Sequence, residues 1–121
     1  MKILYVEDNQ INRLVMERSI QKYAEIVTEE NGFKAMDLIK ENDFDIILID
    51  LNLADPEIDG FGVLDYIKEN DVPAITAAVT AFTTDEWKDK CMEEGFHLYF
   101  PKPVDIDNMW SEILKFKRTR A

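Results

Sequence analysis

Carboxylate, hydroxyl and ammonium side chains directly follow four separate apolar segments of this sequence. Brought together, three carboxylates repel one another, at roughly 4 kcal/mol for each ionised pair at about 4 Å and an effective dielectric of about 20. Mg²⁺ offsets such repulsion, and it typically binds one or two carboxylates plus a substrate phosphate. A site of this kind suits phosphoryl transfer, with an aspartate as the nucleophile and the hydroxyl and ammonium groups on phosphate oxygens. The candidate residues are Glu7, Asp8, Asp50, Thr80 and Lys102.

Taken singly, each of these residues has an ordinary structural interpretation. Glu7 and Asp8 stand before a predicted helix, where acids commonly cap the helix or complement its dipole. Asp50 has the form of a turn cap, Thr80 is a good strand former, and a lysine such as Lys102 is usually a solvated charge. The conjunction favours a site, because suitable residues at four independent strand ends are much less expected by chance than any one of them.

The segment 45–52 is the element around which the others are arranged. Its four consecutive apolar residues, 46–49, predict a strand buried on both faces, as in the centre of a parallel sheet. Asp50 then lies at the carboxyl end of that strand, where ligands bind in open α/β sheets. Five strand-then-helix repeats predict a doubly wound α/β fold, with a parallel five-stranded sheet and five helices on its two faces. The predicted strands are 2–6, 25–28, 46–50, 74–79 and 97–100.

Local signals mark the ends of the predicted elements. The first helix is predicted to reach about Tyr23. Thr83, with an acid three residues later, has the form of a capping box, and Gly95 is suited to end the same helix. Pro101 ends the fifth strand, and its missing backbone donor is tolerable only at a sheet edge. Asp105 is suited to cap the last helix, whose apolar residues recur at helical spacing.

Composition indicates one small globular domain. The 121 residues suit a single domain, 1–121, with no output domain, and an apolar segment directly after Met1 predicts a complete amino terminus. A formal charge of −11 argues against nucleic acid or an anionic membrane as partner, since both favour basic surfaces. No segment has the form of a signal peptide or transmembrane helix. With a single cysteine, Cys91, this predicts a cytoplasmic protein.

Five short motifs, in this order and spacing, carry a resemblance to a known family. They are K-I-L-Y-V-E-D-N at 2–9, I-I-L-I-D-L-N at 46–52, D-G at 59–60, V-T-A at 79–81 and K-P at 102–103. Over essentially its whole length the chain resembles the receiver domain of two-component response regulators. The resemblance implies a flavodoxin-like fold, like that of the chemotaxis regulator, with strand order 2-1-3-4-5. It also implies a signalling module rather than an enzyme, catalysing only its own phosphorylation and dephosphorylation.

The resemblance implies a role for each candidate residue. Asp50 would accept a phosphoryl group from a phosphohistidine on a histidine kinase or a histidine phosphotransfer protein. Asp8, Asp50 and the backbone carbonyl of Asn52 would bind Mg²⁺ directly. Glu7 would act mainly through a bound water. Lys102 would pair with the phosphoryl oxygens, and its bond to the following proline would be cis.

The resemblance also implies a switch that responds to the phosphoryl group. Thr80 would turn to hydrogen-bond that group, and Tyr99 would move inward into the space released. These contacts would bias the face made by the fourth helix, the fifth strand and the fifth helix, which a downstream protein target would bind. Phe82, Trp87 and Trp110 are further candidates for this readout, with ordinary packing in or near the core as the alternative.

Two features depart from the common pattern of the family. The proline and the glycine that follow the acceptor aspartate lie two residues later here, at Pro56 and Gly60. The loop after Asp50 is therefore predicted to be longer. Pro101 directly before Lys102 is also uncommon, and it is predicted to stiffen either the approach of the lysine or the movement of Tyr99. Neither feature removes a residue that the chemistry needs.

Other interpretations stay open beside the leading one. Arg13-Leu14-Val15 resembles receivers of hybrid kinases and phosphorelays, so onward transfer of the phosphoryl group is a variant. A haloacid dehalogenase-like phosphatase uses similar residues, but Asn52 stands where that family has a general-acid aspartate. A degenerate receiver that binds partners without phosphorylation is disfavoured, because all five site positions are filled. His97, the only histidine, and Cys91 are interpreted as structural.

Overall fold

Strands and helices alternate along the chain. The computed structural model describes residues 1–53 and 57–120. Within these residues, no helix is both long enough and apolar enough to cross a membrane. The strands are β1 (Lys2–Val6), β2 (Glu25–Glu29), β3 (Ile46–Asp50), β4 (Ile75–Thr80) and β5 (Leu98–Pro101). The helices are α1 (Gln10–Ile20), α2 (Gly32–Glu41), α3 (Gly60–Glu69), α4 (Asp85–Glu94) and α5 (Ile106–Arg120).

The five strands form one parallel sheet in the order β2-β1-β3-β4-β5, as the resemblance implied. The predicted doubly wound α/β architecture is therefore confirmed. The central strand β3 is buried at every position. Successive side chains of a strand point to opposite faces, so each face of the sheet carries its own apolar core. One core contains Leu4, Ile47, Ile49 and Val63, and the other contains Ile3, Ile46, Leu48 and Met109.

Capping side chains set the start of the helices. The N-cap of α4 is Thr84, whose hydroxyl accepts the N–H of Trp87, so the prediction of Thr83 was wrong. Both threonines suit the role, but the helix begins at Asp85, and the cap must be the last residue before it. Gly95 ends α4 with a left-handed φ of 117°, as predicted. The other helices begin after Asn9, Asn31, Asp59 and Asp105, each of which accepts a backbone N–H.

Some element ends differ from their predicted positions. The helix α1 ends at Ile20 rather than near Tyr23, whose ring stacks on Trp110 with centroids 5.1 Å apart. Tyr23 is therefore fixed by packing although it lies outside α1. Its apolar ring led the sequence pattern to overestimate the length of the helix. β5 begins one residue later than predicted and includes Pro101. The proline lies on a strand at the sheet edge, as predicted.

Candidate functional site

The carboxyl ends of β1, β3 and β5 bring two buried acids and one lysine together. Glu7 follows β1, Asp50 ends β3, and Lys102 follows β5. Lys102 Nζ lies 2.7 Å from Asp50 Oδ2 and 3.0 Å from Glu7 Oε2. Glu7 is 1% exposed and Asp50 4% exposed, so water solvates these carboxyl groups poorly. The lysine supplies part of the positive charge that the acids require at this edge.

Burial and the lysine act in opposite directions on the two acids. Burial raises the pKa of Glu7, and its interaction with Asp50 raises it further. Burial also acts to raise the pKa of Asp50, but hydrogen bonds from Glu7, from the lysine and from a backbone N–H outweigh it and lower that pKa. Burial opposes the charge of Lys102, yet the two acids hold its pKa above the ordinary value. A lowered pKa favours the ionised form of Asp50, which is the form that the predicted nucleophile requires.

Glu7, Asp8 and Asp50 form the acidic cluster that the sequence predicted. One carboxylate oxygen from each lies within 4.8 Å of the others. Asp8 is partly exposed, whereas the other two acids are buried. Three hard oxygen donors beside one ammonium group fit Mg²⁺, which needs few protein ligands and keeps several of its waters. Among the residues that the structure describes, these three are thus the group best suited to hold the ion.

The chain after Asp50 is held close to the strand that precedes it. The N–H of Asn52 donates to Asp50 Oδ1 at 2.8 Å, and the N–H of Gly60 donates to the carbonyl of Leu51 at 3.3 Å. A Cβ at Gly60 would lie 2.5 Å from the Asp50 carbonyl oxygen, so only glycine lets α3 begin this close to β3. Pro56, on which the longer loop was predicted, lies outside the described residues. The longer loop stays a prediction.

Thr80 lies at the end of β4, beside the end of β3. Asp50 pairs across the sheet with the residue before Thr80. Thr80 is fully buried. The Thr80 hydroxyl accepts the N–H of Phe82 at 3.0 Å, and its carbonyl accepts the N–H of Lys102 at 2.7 Å. The Lys102–Pro103 peptide is cis, as the resemblance implied. The predicted hydroxyl group therefore ends β4 and the ammonium group follows β5, at the same edge of the sheet as Asp50.

The aromatic candidates divide between the two faces of the sheet. Tyr99 is half-buried, burial raises its pKa, and its hydroxyl donates to the carbonyl oxygen of Phe82. The Phe82 ring in turn stacks on Trp87, with centroids 4.7 Å apart. Tyr99 and Trp87 pack against one core, whereas Trp110 packs against the other and stacks on Tyr23. Packing at the edge of the core, the alternative for Trp110, is what the structure supports.

Three residues that hold Glu7 were not predicted as part of the site. The Tyr5 hydroxyl donates to Glu7 Oε2 at 3.3 Å, and Asn12 Nδ2 donates to Oε1 at 3.1 Å. Arg13 Nη1 donates to the Glu7 carbonyl at 2.8 Å. Burial, chiefly, raises the pKa of Tyr5, which keeps its hydroxyl a donor. A signal was available, because Tyr5 lies two residues before Glu7 on the same strand face, and Asn12 and Arg13 lie in the first turns of the next helix.

His97 and Cys91, which were interpreted as structural, lie away from the acidic cluster. His97 Nδ1 accepts the N–H of Thr76 at 3.0 Å, and its ring lies 5.2 Å from that of Phe116. Thr76 lies near the start of β4, at the opposite end from Thr80, which supports the structural interpretation of the histidine. Cys91 is buried within one of the two cores as a free thiol. Neither residue is part of the acidic cluster.

Comparison with known proteins found a matching family and several relatives. The family described as the response regulator receiver domain matches residues 3–114. The hybrid signal transduction protein dokA of Dictyostelium discoideum is 34% identical over 119 residues, which are 97% of this chain and 7% of that protein. This chain spans between 7% and 13% of the length of the first five curated relatives it matches.

Solved structures agree in fold. The signal receiver domain of a putative Luxo repressor protein from Vibrio parahaemolyticus superposes with a TM-score of 0.88 at 26% identity, covering 98% of this chain and 92% of that one. A second match comes from the Saccharomyces cerevisiae complex of the histidine phosphotransfer signalling protein Ypd1 with the receiver domain of Ssk1. It has a TM-score of 0.84 at 27% identity, covering 100% of this chain and 91% of that one.

Proposed function

This chain belongs to the response regulator receiver domain family, and we propose that Asp50 is the residue that accepts its phosphoryl group. One observation carries this assignment. Asp50 is a buried carboxylate at the carboxyl end of the central strand, and Lys102 Nζ lies 2.7 Å from it. The proposed donor is a phosphohistidine on a histidine kinase or a histidine phosphotransfer protein. The family is one of signalling domains, and the chemistry that we propose modifies the chain itself.

The proposed transfer exchanges one bond to phosphorus for another. A carboxylate oxygen of Asp50 attacks the phosphorus, and the P–N bond to the donor histidine breaks. The histidine leaves as neutral imidazole, with its proton on the other ring nitrogen. The Lys102 ammonium donates to a phosphoryl oxygen, where negative charge would otherwise accumulate. Mg²⁺, when bound, supplies further positive charge at those oxygens.

We propose that the acidic cluster holds Mg²⁺, with Asp8, Asp50 and the backbone carbonyl of Asn52 as direct ligands. Glu7 would act through a bound water. The closeness of the three carboxylates and the partial exposure of Asp8 support this assignment. Calorimetric titration with Mg²⁺ tests it, because Asp8→Asn is expected to weaken binding at least about tenfold. Unchanged binding by that variant would contradict the ligand set.

The opening sequence of α1 supports a docking surface for the phosphohistidine donor. Ile11, Leu14 and Val15 are exposed by 71%, 45% and 58%, although each is apolar. A groove of about 400 Å³, lined partly by Val15, Lys102 and Pro103, joins this surface to the site. An apolar patch beside a reactive group is typical of a protein-binding surface. The co-crystal of the histidine phosphotransfer protein Ypd1 with a receiver domain 27% identical to this chain supports a donor of this class.

Two matched variants test this docking surface. Leu14 on α1 and Phe33 on α2 are each 45% exposed, so their replacement by serine removes similar apolar surface at different places. With phosphorylated Ypd1 as the donor, Leu14→Ser is expected to slow transfer at least about tenfold, and Phe33→Ser to leave it unchanged. Both variants should react normally with acetyl phosphate. Equal slowing by the two variants would contradict a docking role for α1.

The primary experiment is intact mass after incubation with acetyl phosphate, with and without Mg²⁺. Wild type is expected to gain one phosphoryl adduct that depends on Mg²⁺, and Asp50→Asn is expected to gain none. An adduct that persists in Asp50→Asn would show that another residue accepts the group. No adduct in the folded wild type would favour the degenerate receiver that binds partners without phosphorylation.

The remaining assignments are also proposals. A phosphoryl group on Asp50 would draw in Thr80 and then Tyr99, and would change the α4–β5–α5 face that a downstream protein binds. The family match disfavours the haloacid dehalogenase-like phosphatase, and turnover of a panel of phosphoesters would test for that activity directly. We also propose a cytoplasmic location, supported by a cysteine content of one, Cys91, which provides no internal disulfide.

A further inference from the structure

The backbone of Phe82 forms hydrogen bonds with Thr80 and Tyr99, the two residues that we propose to move on phosphorylation. Its N–H donates to Thr80 Oγ1 at 3.0 Å, and its carbonyl accepts the Tyr99 hydroxyl. Thr80 is fully buried, so the N–H of Phe82 has its acceptor in a region that water reaches poorly. A rotation of either switch side chain therefore changes the hydrogen bonds of the Phe82 backbone.

The ring of Phe82 begins an aromatic stack of three half-buried residues, Phe82, Trp87 and Phe61. The Phe82 and Trp87 rings lie 4.7 Å apart at an interplanar angle of 12°, and those of Phe61 and Trp87 lie 6.4 Å apart at 18°. The ammonium of Lys90 lies 5.2 Å from the Trp87 ring centre and 5.0 Å from that of Phe61. Offset stacking and cation–π attraction each favour one arrangement of these groups, so a displaced ring changes the surroundings of Trp87.

We propose that Phe82 is a positioning residue that transmits the phosphorylation state of Asp50 to Trp87 on α4. This inference rests on the proposed phosphorylation of Asp50. When the Thr80 hydroxyl turns toward a phosphoryl oxygen, it ceases to accept the N–H of Phe82. The peptide then reorients and carries its ring along Trp87. The surface made by the aromatic stack and Lys90 is thus different in the two states, which gives a partner something to distinguish.

This coupling has a specific structural cause. The chain from Thr80 to Phe82 is a tight hydrogen-bonded turn, so a rotation at its first residue reaches the third without passing through the core. Thr84 then caps α4 by accepting the N–H of Trp87, which anchors the other half of the stack to the helix. The position of the Phe82 ring therefore depends on Thr80, whereas the position of the Trp87 ring depends on α4.

The test uses Trp87 as its own reporter. The chain has two tryptophans, and Trp110→Phe leaves Trp87 as the only one. In this background, fluorescence emission and intact mass are recorded together during incubation with acetyl phosphate and Mg²⁺. The Trp87 emission is expected to shift in proportion to the adduct, and Asp50→Asn is expected to abolish both signals.

Phe82→Leu is the decisive variant, since it keeps an apolar side chain but removes the stacked ring. At equal adduct occupancy, the emission change is expected to fall to less than about a third of that in the parent. An undiminished change per adduct would overturn the inference. Thr80→Val gives a second measurement in a chain of similar shape, and it is expected to leave the Trp87 emission unresponsive to any adduct that forms.

The outcomes separate the two proposals. An adduct in the parent without any change in Trp87 emission overturns the role of Phe82 but leaves the proposed function intact. No adduct in the parent overturns the proposed function, and the inference falls with it. The indole N–H cross-peak of Trp87 in wild-type protein provides an independent check that does not depend on the Trp110→Phe background.

Discussion

The two ends of β3 carry the same residue type in opposite environments. Asp45 precedes the strand, is exposed, and its carboxylate accepts the N–H of Lys2 at 2.8 Å. Asp50 ends the strand, is 4% exposed, and contacts Lys102 Nζ at 2.7 Å. Each acid has one lysine residue beside it, but only the carboxyl end buries its charge. Burying a charge costs free energy, so buried charged groups are found mainly at functional sites.

The paired lysines extend this comparison. Lys2 Nζ donates to Asn42 and lies 5.3 Å from the Phe44 ring centre, so its charge meets neutral groups. Lys102 Nζ instead contacts two buried carboxylates. Substitutions at the two ends of the sheet should therefore have different effects. Those at the amino end change local packing, and those at the carboxyl end change chemistry as well.

The largest expected difference is in the rate of phosphorylation. Lys102→Met is expected to slow adduct formation from acetyl phosphate by about 100-fold, because the phosphoryl oxygens lose a charged donor. Lys2→Met, the matched change at the amino end, is expected to leave the rate unchanged. Intact mass as a function of time measures both. Similar rates for the two variants would mean that Lys102 is only structural.

A smaller difference is expected in stability. In urea titrations at neutral pH with EDTA present, Lys102→Met is expected to lower the free energy of unfolding by about 2 kcal/mol, since two buried carboxylates lose their counter-charge. Lys2→Met is expected to lower it by about 0.5 kcal/mol. Equal losses would indicate that burial at the carboxyl end has no special electrostatic cost.

Mg²⁺ should stabilise only through the carboxyl end. At ten times its dissociation constant, the ion is expected to raise the free energy of unfolding by about 1.4 kcal/mol. Asp8→Asn is expected to lose this gain, and Asp45→Asn to keep it. Thermal or urea unfolding with and without the ion measures the effect. A gain that survives Asp8→Asn would place the ion elsewhere.

The smallest expected effect concerns the lifetime of the adduct. Phe82 lies two residues after Thr80 and is predicted to screen the phosphoryl group from water, so Phe82→Ala is expected to shorten the lifetime about threefold, less than 1 kcal/mol in barrier height. Phe33→Ala on α2 is the control. The loss of adduct mass after removal of acetyl phosphate gives both lifetimes. Fast decay that Phe82→Ala leaves unaltered would count against screening.

The order of elements and the acidic cluster were accessible from sequence for one physical reason. A parallel sheet needs strands that are apolar on both faces, and it places every strand's carboxyl end at one edge. Residues such as Asp50 and Thr80 directly follow these strands, so their position along the chain fixes their position in space. The strand order itself came from the resemblance, since crossover connections of similar length permit several orders.

Contacts between elements were not accessible in the same way. Thr83 and Thr84 have the same capping chemistry, and only the point where the helix starts distinguishes them. The stack of Tyr23 on Trp110 joins residues from opposite ends of the chain, and no local pattern indicates it. Both are outcomes of packing, in which several nearby alternatives differ by about 1 kcal/mol or less.

Residue type and periodicity were enough to indicate the fold class, the family and the acids, hydroxyl and lysine of the candidate site. How these residues are held became visible only once the chain was folded. It placed Tyr5, Asn12 and Arg13 around Glu7, and it bonded the Phe82 backbone to both Thr80 and Tyr99. Such contacts depend on distances between side chains that are set only when all the elements pack together.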